Sequence, residues 1–369
     1  MDKKVTLCAV GDIGLHGDVG SLILEKGSEY PFDKVKELFG RHDLVFGNLE
    51  IPFSEHGRPF FEYETDNFHA DIKTADALVA AGFNIMSLAN NHILECGPDS
   101  LGLSIDVLDK NNILNFGAGT TIKQARKALV VEKNDLKIGF LGYSTKDKQS
   151  ATDQSAGSSP IVEEFIREDI ATLRPKVDVL IISLHFGLTY MDYPNDEGIA
   201  LAHNVIDWGA DLILGHHPHV VQGIENYNDK LIIYSLGEFL FDPTQGLRYS
   251  KVAREERKRS FVFSCTLGKN GVEDYTYFPT RIDESYQVYI MTGEEKESMK
   301  AHLRELSENI GKIDFYEYAG PQVVNNEMAL LLLHLKKMNL KALFHLSKRI
   351  KMRHFLLLGG WLKKKVRRK

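Results

Sequence analysis

The sequence predicts an α/β fold of layered sheets and helices, and three observations predict it. Short apolar runs recur along the chain, each followed by a segment with helical periodicity. Five of those runs stop on Asp, Glu, Asn or His. Farther on, Phe261–Leu267 and Tyr275–Pro279 alternate apolar and polar positions, the pattern of a half-exposed sheet that completes a mixed sandwich.

Taken in order, Val5–Val10, Leu44–Phe46, Asn84–Leu88, Leu136–Leu141, Val179–Leu184, Leu212–Leu214 and Leu231–Tyr234 read as buried strands. Between them Pro31–Phe39, Asp71–Ala81, Pro98–Lys110, Val162–Leu173 and Asp196–Trp208 read as helices. Pro31 and Pro98 suit the first turn, where no N–H bond is lost. Tyr143–Pro160, rich in Ser, Thr, Gln, Asp and Lys, reads as a mobile loop beside the strand ends. The alternation stops after Lys312, so the expected organisation is one domain over residues 1–285 and a helical region with a basic tail over 286–369.

Bulk composition narrows the class. With 369 residues, 43% hydrophobic and 26% charged, the chain is long enough for a large core and has the balance of a soluble globular protein. Cys8, Cys96 and Cys265 are too few and too scattered for a disulfide framework or a zinc-thiolate site, and a reducing compartment fits them best. The run Val5–Val10 is too short for the apolar region of a signal peptide, and no stretch of about 18 apolar residues occurs. The expected location is therefore cytoplasmic.

The net charge of −6 hides an asymmetry. From Lys336 onward there are 13 Lys and Arg and no acid, which leaves 32 basic against 51 acidic residues in the rest of the chain. An acidic body repels polyanions, so a nucleic-acid partner is disfavoured. The basic tail carries Phe355, Leu356, Leu357, Leu358 and Trp361, a composition that suits peripheral attachment to an anionic membrane at its inner face.

The polar residues at the strand ends carry the chemistry. Val5–Val10 leads into Gly11-Asp12, Leu44–Phe46 into Gly47-Asn48-Leu49-Glu50, and Asn84–Leu88 into Ala89-Asn90-Asn91-His92. Val179–Leu184 leads into His185, and Leu212–Leu214 into Gly215-His216-His217-Pro218-His219. In a parallel sheet such ends share one edge, so these residues are expected to converge. Carboxylate, amide oxygen and imidazole together suit a centre for two divalent cations, Mn, Fe or Zn, that clamps an ester and activates water. The glycines at 11, 47 and 215 are expected to let the backbone turn tightly beneath the metals. Taken singly, an Asp after a strand more often caps a turn, and His185 alone is as readily a structural group; three imidazoles within four positions are harder to explain that way.

Those motifs, with Ser235-Leu236-Gly237, occur in the order and spacing of the CapA (poly-γ-glutamate capsule synthesis) family, and Trp208–Glu225 is the most specific stretch. The resemblance covers roughly residues 5–280. It implies the calcineurin-like metallophosphoesterase fold, a four-layer α/β/β/α sandwich, here with an appended C-terminal helical segment. By the same resemblance Asp12, Glu50, Asn91, His185, His216, His217 and His219 are metal ligands and His92 is the general acid. Candidate substrate-binding residues are Arg58, Asn48, Asn90 and Glu238. Two departures from the phosphoesterase pattern belong to the CapA family generally, and a third departure, from the CapA pattern, is this chain's own. Gly14 stands where a His is usual, Asn48-Leu49-Glu50 replaces a Gly-Asp-x-x-Asp motif, and Glu238 stands where CapA-like chains carry Asn, adding a negative charge.

Two functional readings follow. One is a metal-dependent, hydrolase-like protein of capsule or cell-envelope polymer synthesis, with an anionic polymer or its precursor as substrate. The other is a non-catalytic scaffold that keeps the fold and binds a polymer synthase or the polymer itself. Retention of His92 favours the first, and Gly14 and Glu238 favour the second.

Overall fold

In a computed structural model the described residues are 4–60, 68–242 and 255–321. The apolar runs form two facing sheets. The first contains β1 (Val5–Ile13), β2 (Leu44–Leu49), β3 (Ile85–Ser87) and β4 (Leu114–Phe116), all parallel. After the small pair β5 (Ala118–Gly119) and β8 (Gly157–Ser158), the second sheet comprises β6 (Leu129–Lys133), β7 (Leu136–Ser144), β9 (Val179–His185), β10 (Leu212–His216), β11 (Ile224–Tyr227) and β12 (Lys230–Ile233). Its central strands β7, β9, β10 and β12 are parallel, and its edges are antiparallel.

The chain then returns to the first sheet. Here β13 (Glu238–Leu240) pairs parallel with β1, while β14 (Arg259–Gly268), β15 (Gly271–Ile282) and β16 (Val288–Ile290) extend the sheet antiparallel beyond β1. Strand alternation then sorts the side chains into three apolar layers. From β9, Val179 and Ile181 face the core between the sheets, with Leu7, Phe140, Leu214 and Phe263. Leu180 and Ile182 face outward, onto helices α5 (Glu163–Leu173) and α6 (Asp196–Asp207). On the other outer face Cys8 and Val10 meet α1 (Gly17–Lys26), α3 (Asp76–Ala81) and α4 (Pro98–Lys110). The result is the expected four-layer α/β/β/α sandwich. Strands buried on both faces need apolar residues at every position, which is why these runs showed no alternation.

Helix ends follow local chemistry. α4 begins on Pro98, and α3 stops at Gly82, whose φ of 90° is the left-handed cap. The helix expected over Pro31–Phe39 is instead a 3₁₀ turn, Tyr30–Phe32, and the short α2 (Lys36–Phe39). Asp71 caps a 3₁₀ turn ahead of α3 by accepting from Lys73 N at 2.9 Å. The segment expected as a mobile loop, Tyr143–Pro160, is tied down: Ser144 N donates to Ser159 O at 2.8 Å, and Leu94 N donates to Gln149 Oε1 at 2.7 Å.

The expected division between residues 285 and 286 is crossed by both sheet and core. β16 pairs with β15, and Met299, Leu303 and Leu306 of α7 (Gly293–Glu308) join the core between the sheets. Among the described residues no helix is long and apolar enough to cross a membrane. The basic tail, with Phe355–Trp361, lies outside the described residues.

Candidate metal centre

Backbone register places the polar residues before any side chain is considered. In the first sheet Asp12 lies beside Asn48 of β2 on one side and Glu238 of β13 on the other. In the second, His216 lies beside His185. The five polar strand ends therefore belong to two sheets rather than to one edge of a single sheet. Stacking brings the two sets of C-terminal ends face to face.

Close approach of backbones makes this possible. Asp12 N donates to Gly237 O at 3.0 Å, and a Cβ on Gly11 would stand 1.9 Å from that oxygen. A Cβ on Gly215 would stand 2.1 Å from Tyr234 O. Gly11, Gly47 and Gly215 lie within strands, and none of them has positive φ. Their role is room for a neighbouring chain or side chain, not the tight turn expected of them. The backbone strain sits elsewhere. His217 and His219 have φ of 97° and 59°, values that non-glycine residues rarely adopt and that persist where the surroundings over-determine them.

Asp12 is the hub. Its Oδ1 accepts from Asn48 Nδ2 at 2.8 Å, and its Oδ2 accepts from the backbone N–H of His217 at 3.3 Å. His216 Nδ1 stands 3.2 Å from Oδ1 and His219 Nδ1 3.3 Å from Oδ2. Burial pushes the Asp12 carboxyl up, but its contacts with His216 and His219 outweigh this and hold it well below the usual carboxylate range.

Glu50 behaves oppositely. It is fully buried, and neither carboxyl oxygen accepts a hydrogen bond. Three imidazole nitrogens surround its Oε1: His219 Nε2 at 3.5 Å, His92 Nε2 at 3.6 Å and His185 Nε2 at 3.7 Å. Burial, then the charges of Asp12 and Glu238, push its carboxyl well above the usual range. Both nitrogens of His216 and Nδ1 of His219 also lack hydrogen bonds, although both residues are buried. Buried polar atoms ordinarily find partners, so a carboxylate and imidazoles that face one another without hydrogen bonds have the arrangement of metal ligands. Ligand atoms of Asp12, Glu50 and His219 all lie within 4.8 Å of one another, a donor set that fits a divalent cation.

The remaining candidates divide into groups around that cluster. His185 Nε2 donates to Asn91 Oδ1 at 2.7 Å and lies 3.1 Å from His217 Nδ1; burial, then His217, pushes its pKa well down. His92 is the more open member, with 18% of its side chain exposed, and its Nδ1 is held by Glu95. Asn48 and Asn90 are fully buried, and their amides are used within the protein: Asn90 Nδ2 donates to Leu49 O at 2.8 Å. Burial leaves these two no surface with which to meet a substrate. Arg58 is exposed on its loop, and no hydrogen bond or ion pair among the described residues ties it to the cluster.

Glu238 is buried and clasped by Arg257, whose Nε donates to both carboxylate oxygens at 3.0 Å and whose Nη2 donates at 2.6 Å. Arg257 and Glu95 are the residues the sequence reading missed. Glu95 was legible as an acid three positions after His92. Arg257 is one of several charges in the run Arg254–Arg259, and nothing there singles it out. Gly14 also finds a reason. A Cβ there would come within 2.8 Å of the His16 ring and of Phe241, so these two side chains fill the space of the missing one.

The bacterial capsule synthesis protein family PGA_cap matches residues 6–243. The capsule biosynthesis protein CapA of Bacillus anthracis is 30% identical over 249 residues, which is 65% of this chain and 61% of that protein. The PGA biosynthesis protein CapA of Bacillus subtilis (strain 168) is 28% identical over 313 residues, 84% of this chain and 79% of that protein. The match thus spans about three fifths of the first relative's length and about four fifths of the second's. Among solved structures, a Mycoplasma pneumoniae phosphatase is similar at a TM-score of 0.50 and 18% identity, over 78% of this chain and 97% of that one, a likeness of fold alone.

Proposed function

The chain belongs to the bacterial capsule synthesis protein family PGA_cap, and on that premise we propose that it serves capsule or poly-γ-glutamate assembly as a metal-dependent, hydrolase-like protein. The observation that carries the metal reading is Glu50, a fully buried carboxylate with no hydrogen bond, ringed by three imidazole nitrogens at 3.5–3.7 Å. Asp12, Glu50, Asn91, His185, His216, His217 and His219 would hold one or two divalent cations, Mn, Fe or Zn. When bound, such cations neutralise an ester's oxygens and acidify water near neutral pH.

The other steps fall to the chain's own side chains. His92 turns Nε2 toward the cluster from its solvent-facing rim, the position of a group that protonates a leaving oxygen. Glu95 fixes the ring through Nδ1. Asn48 braces the Asp12 carboxylate, and Asn90 braces Asn48 and the Leu49 carbonyl, instead of meeting substrate. The substrate class is an anionic envelope polymer or its precursor, with polymer synthase subunits as partners. The basic tail supports peripheral contact with an anionic membrane, for which salt-sensitive binding to anionic vesicles is the test.

Elemental analysis of protein purified without chelator tests the metal reading, with about one to two equivalents of Mn, Fe or Zn expected. Less than about 0.1 equivalent after reconstitution would hand the function to a binding scaffold that has kept the fold.

A further inference from the structure

Glu238 is the departure that belongs to this chain and not to the family it resembles, and the structure gives it a context. Glu238 is the register partner of Asp12, so its carboxylate stands beside the hub of the site. Its Oε1 lies 3.2 Å from His219 Nδ1, an ionic contact outside hydrogen-bond geometry that this nitrogen shares with Asp12 Oδ2 at 3.3 Å, while Nε2 on the other edge of the ring faces Glu50. A carboxylate on the far nitrogen of an imidazole is the usual means of fixing a metal-ligating His in tautomer and orientation.

An added carboxylate has a cost here. Asp12 and Glu50 already bring two acidic groups to a buried site, and a third would repel both. Arg257 removes that cost. It is 2% exposed, lies just ahead of β14 and grips Glu238 through three hydrogen bonds. Its guanidinium lies 5.2 Å from the centre of the Tyr190 ring, and that ring stacks on His219 at 5.9 Å with 28° between planes. Arg257 and Glu238 thus enclose His219 together, one at its edge and one through the tyrosine on its face. A buried ion pair is a poor source of stability compared with apolar packing of the same volume, so stability alone gives little reason for this one.

We propose that Glu238 and Arg257 form one charge-compensated brace, in which Glu238 positions His219 and Arg257 sets the site's affinity for divalent cations by offsetting the added carboxylate. The proposal rests on the metal reading above. Its sign is definite. Removing Glu238 alone leaves a buried cation beside the site and weakens binding. Removing Arg257 alone leaves an extra anion and strengthens it, while the metal-free protein becomes less stable.

The experiment is a cycle of four full-length proteins, wild type, Glu238→Gln, Arg257→Met and the double variant. Mn²⁺ affinity is measured by calorimetry and the metal-free Tm by thermal denaturation. Glu238→Gln is expected to weaken Mn²⁺ binding about tenfold or more. Arg257→Met is expected to tighten it and lower Tm, and the double variant to bind more weakly than wild type but more tightly than Glu238→Gln, because charge is again balanced while His219 has lost its positioning carboxylate. Arg257→Lys, which keeps the charge but not the fork, should hold affinity near wild type while Tm drops. If wild type binds Mn²⁺ and the variants change Tm with no change in affinity, the brace is overturned and the pair is structural. If wild type itself binds no Mn²⁺, the metal reading falls and takes the brace with it. If Arg257→Met does not fold, Arg257→Lys and Glu238→Gln still decide between the outcomes.

Discussion

The two sheets bring different chemistry to one place. The first supplies charge, with Glu238, Asp12 and Asn48 on neighbouring strands in register and Glu50 one residue past β2. The second supplies imidazoles, with His185 and His216 in register and then His217 and His219 on a turn with positive φ. The anionic half is placed by ladder pairing. Part of the imidazole half is placed by a backbone conformation that costs energy and is held by what surrounds it. The charged half should therefore dominate cation capture, and the imidazole turn should be where stability has been traded for position.

The largest expected effect tests the charged half. Asp12→Ala removes the group that Asn48, His216, His217 and His219 all face, and metal content should fall below about 0.1 equivalent, with a loss of stability from the partners left behind. Metal retained at the wild-type level would mean that the imidazole half binds by itself. A smaller effect separates binding from proton transfer. His92→Ala should keep its metal yet lower turnover of an activated phosphodiester by about 10²-fold or more. Metal loss equal to that of Asp12→Ala would instead make His92 a ligand. The smallest effect tests the strained turn. His217→Gly accommodates φ of 97° without a side chain, so the metal-free protein should gain about 1 kcal/mol by denaturant titration while cation affinity falls. A stability loss there would show that the turn is not strained.

Much of this was legible in the sequence because strands buried on both faces read as unbroken apolar runs, and a polar residue that ends such a run stands out. Val179–Leu184 ahead of His185 matches β9 to within one residue, and Pro98–Lys110 matches α4 at both ends. What escaped were elements too short or too polar to show a period. β13 spans three residues and begins with a buried Glu, and β11 reads Ile-Glu-Asn-Tyr. Their strand character comes from pairing with β1 and β12, which no local pattern announces. The sequence pointed to convergence of Asp12, Glu50, Asn91, His185 and the His216–His219 group. That two sheets and a returning strand build it is a property of topology. Arg257 was invisible for a related reason. Its partner Glu238 lies in a different element, and its neighbours along the chain are also charged.

The position of β1 has a consequence in time. It is the first strand among the described residues, yet it lies in the interior of its sheet, between β2 and β14, with β13 against its end. During synthesis at about 5–20 residues per second, that strand waits for residues 238–268 to emerge before its antiparallel neighbour exists. Until then Val5, Leu7 and Ala9 have no enclosed core, and the edge that β14 will occupy is open to any other strand. Pairing across so long a stretch of chain is slow as well as late. The nascent protein consequently carries an open apolar edge until β14 pairs with β1, and the site cannot be complete before Glu238 stands beside Asp12.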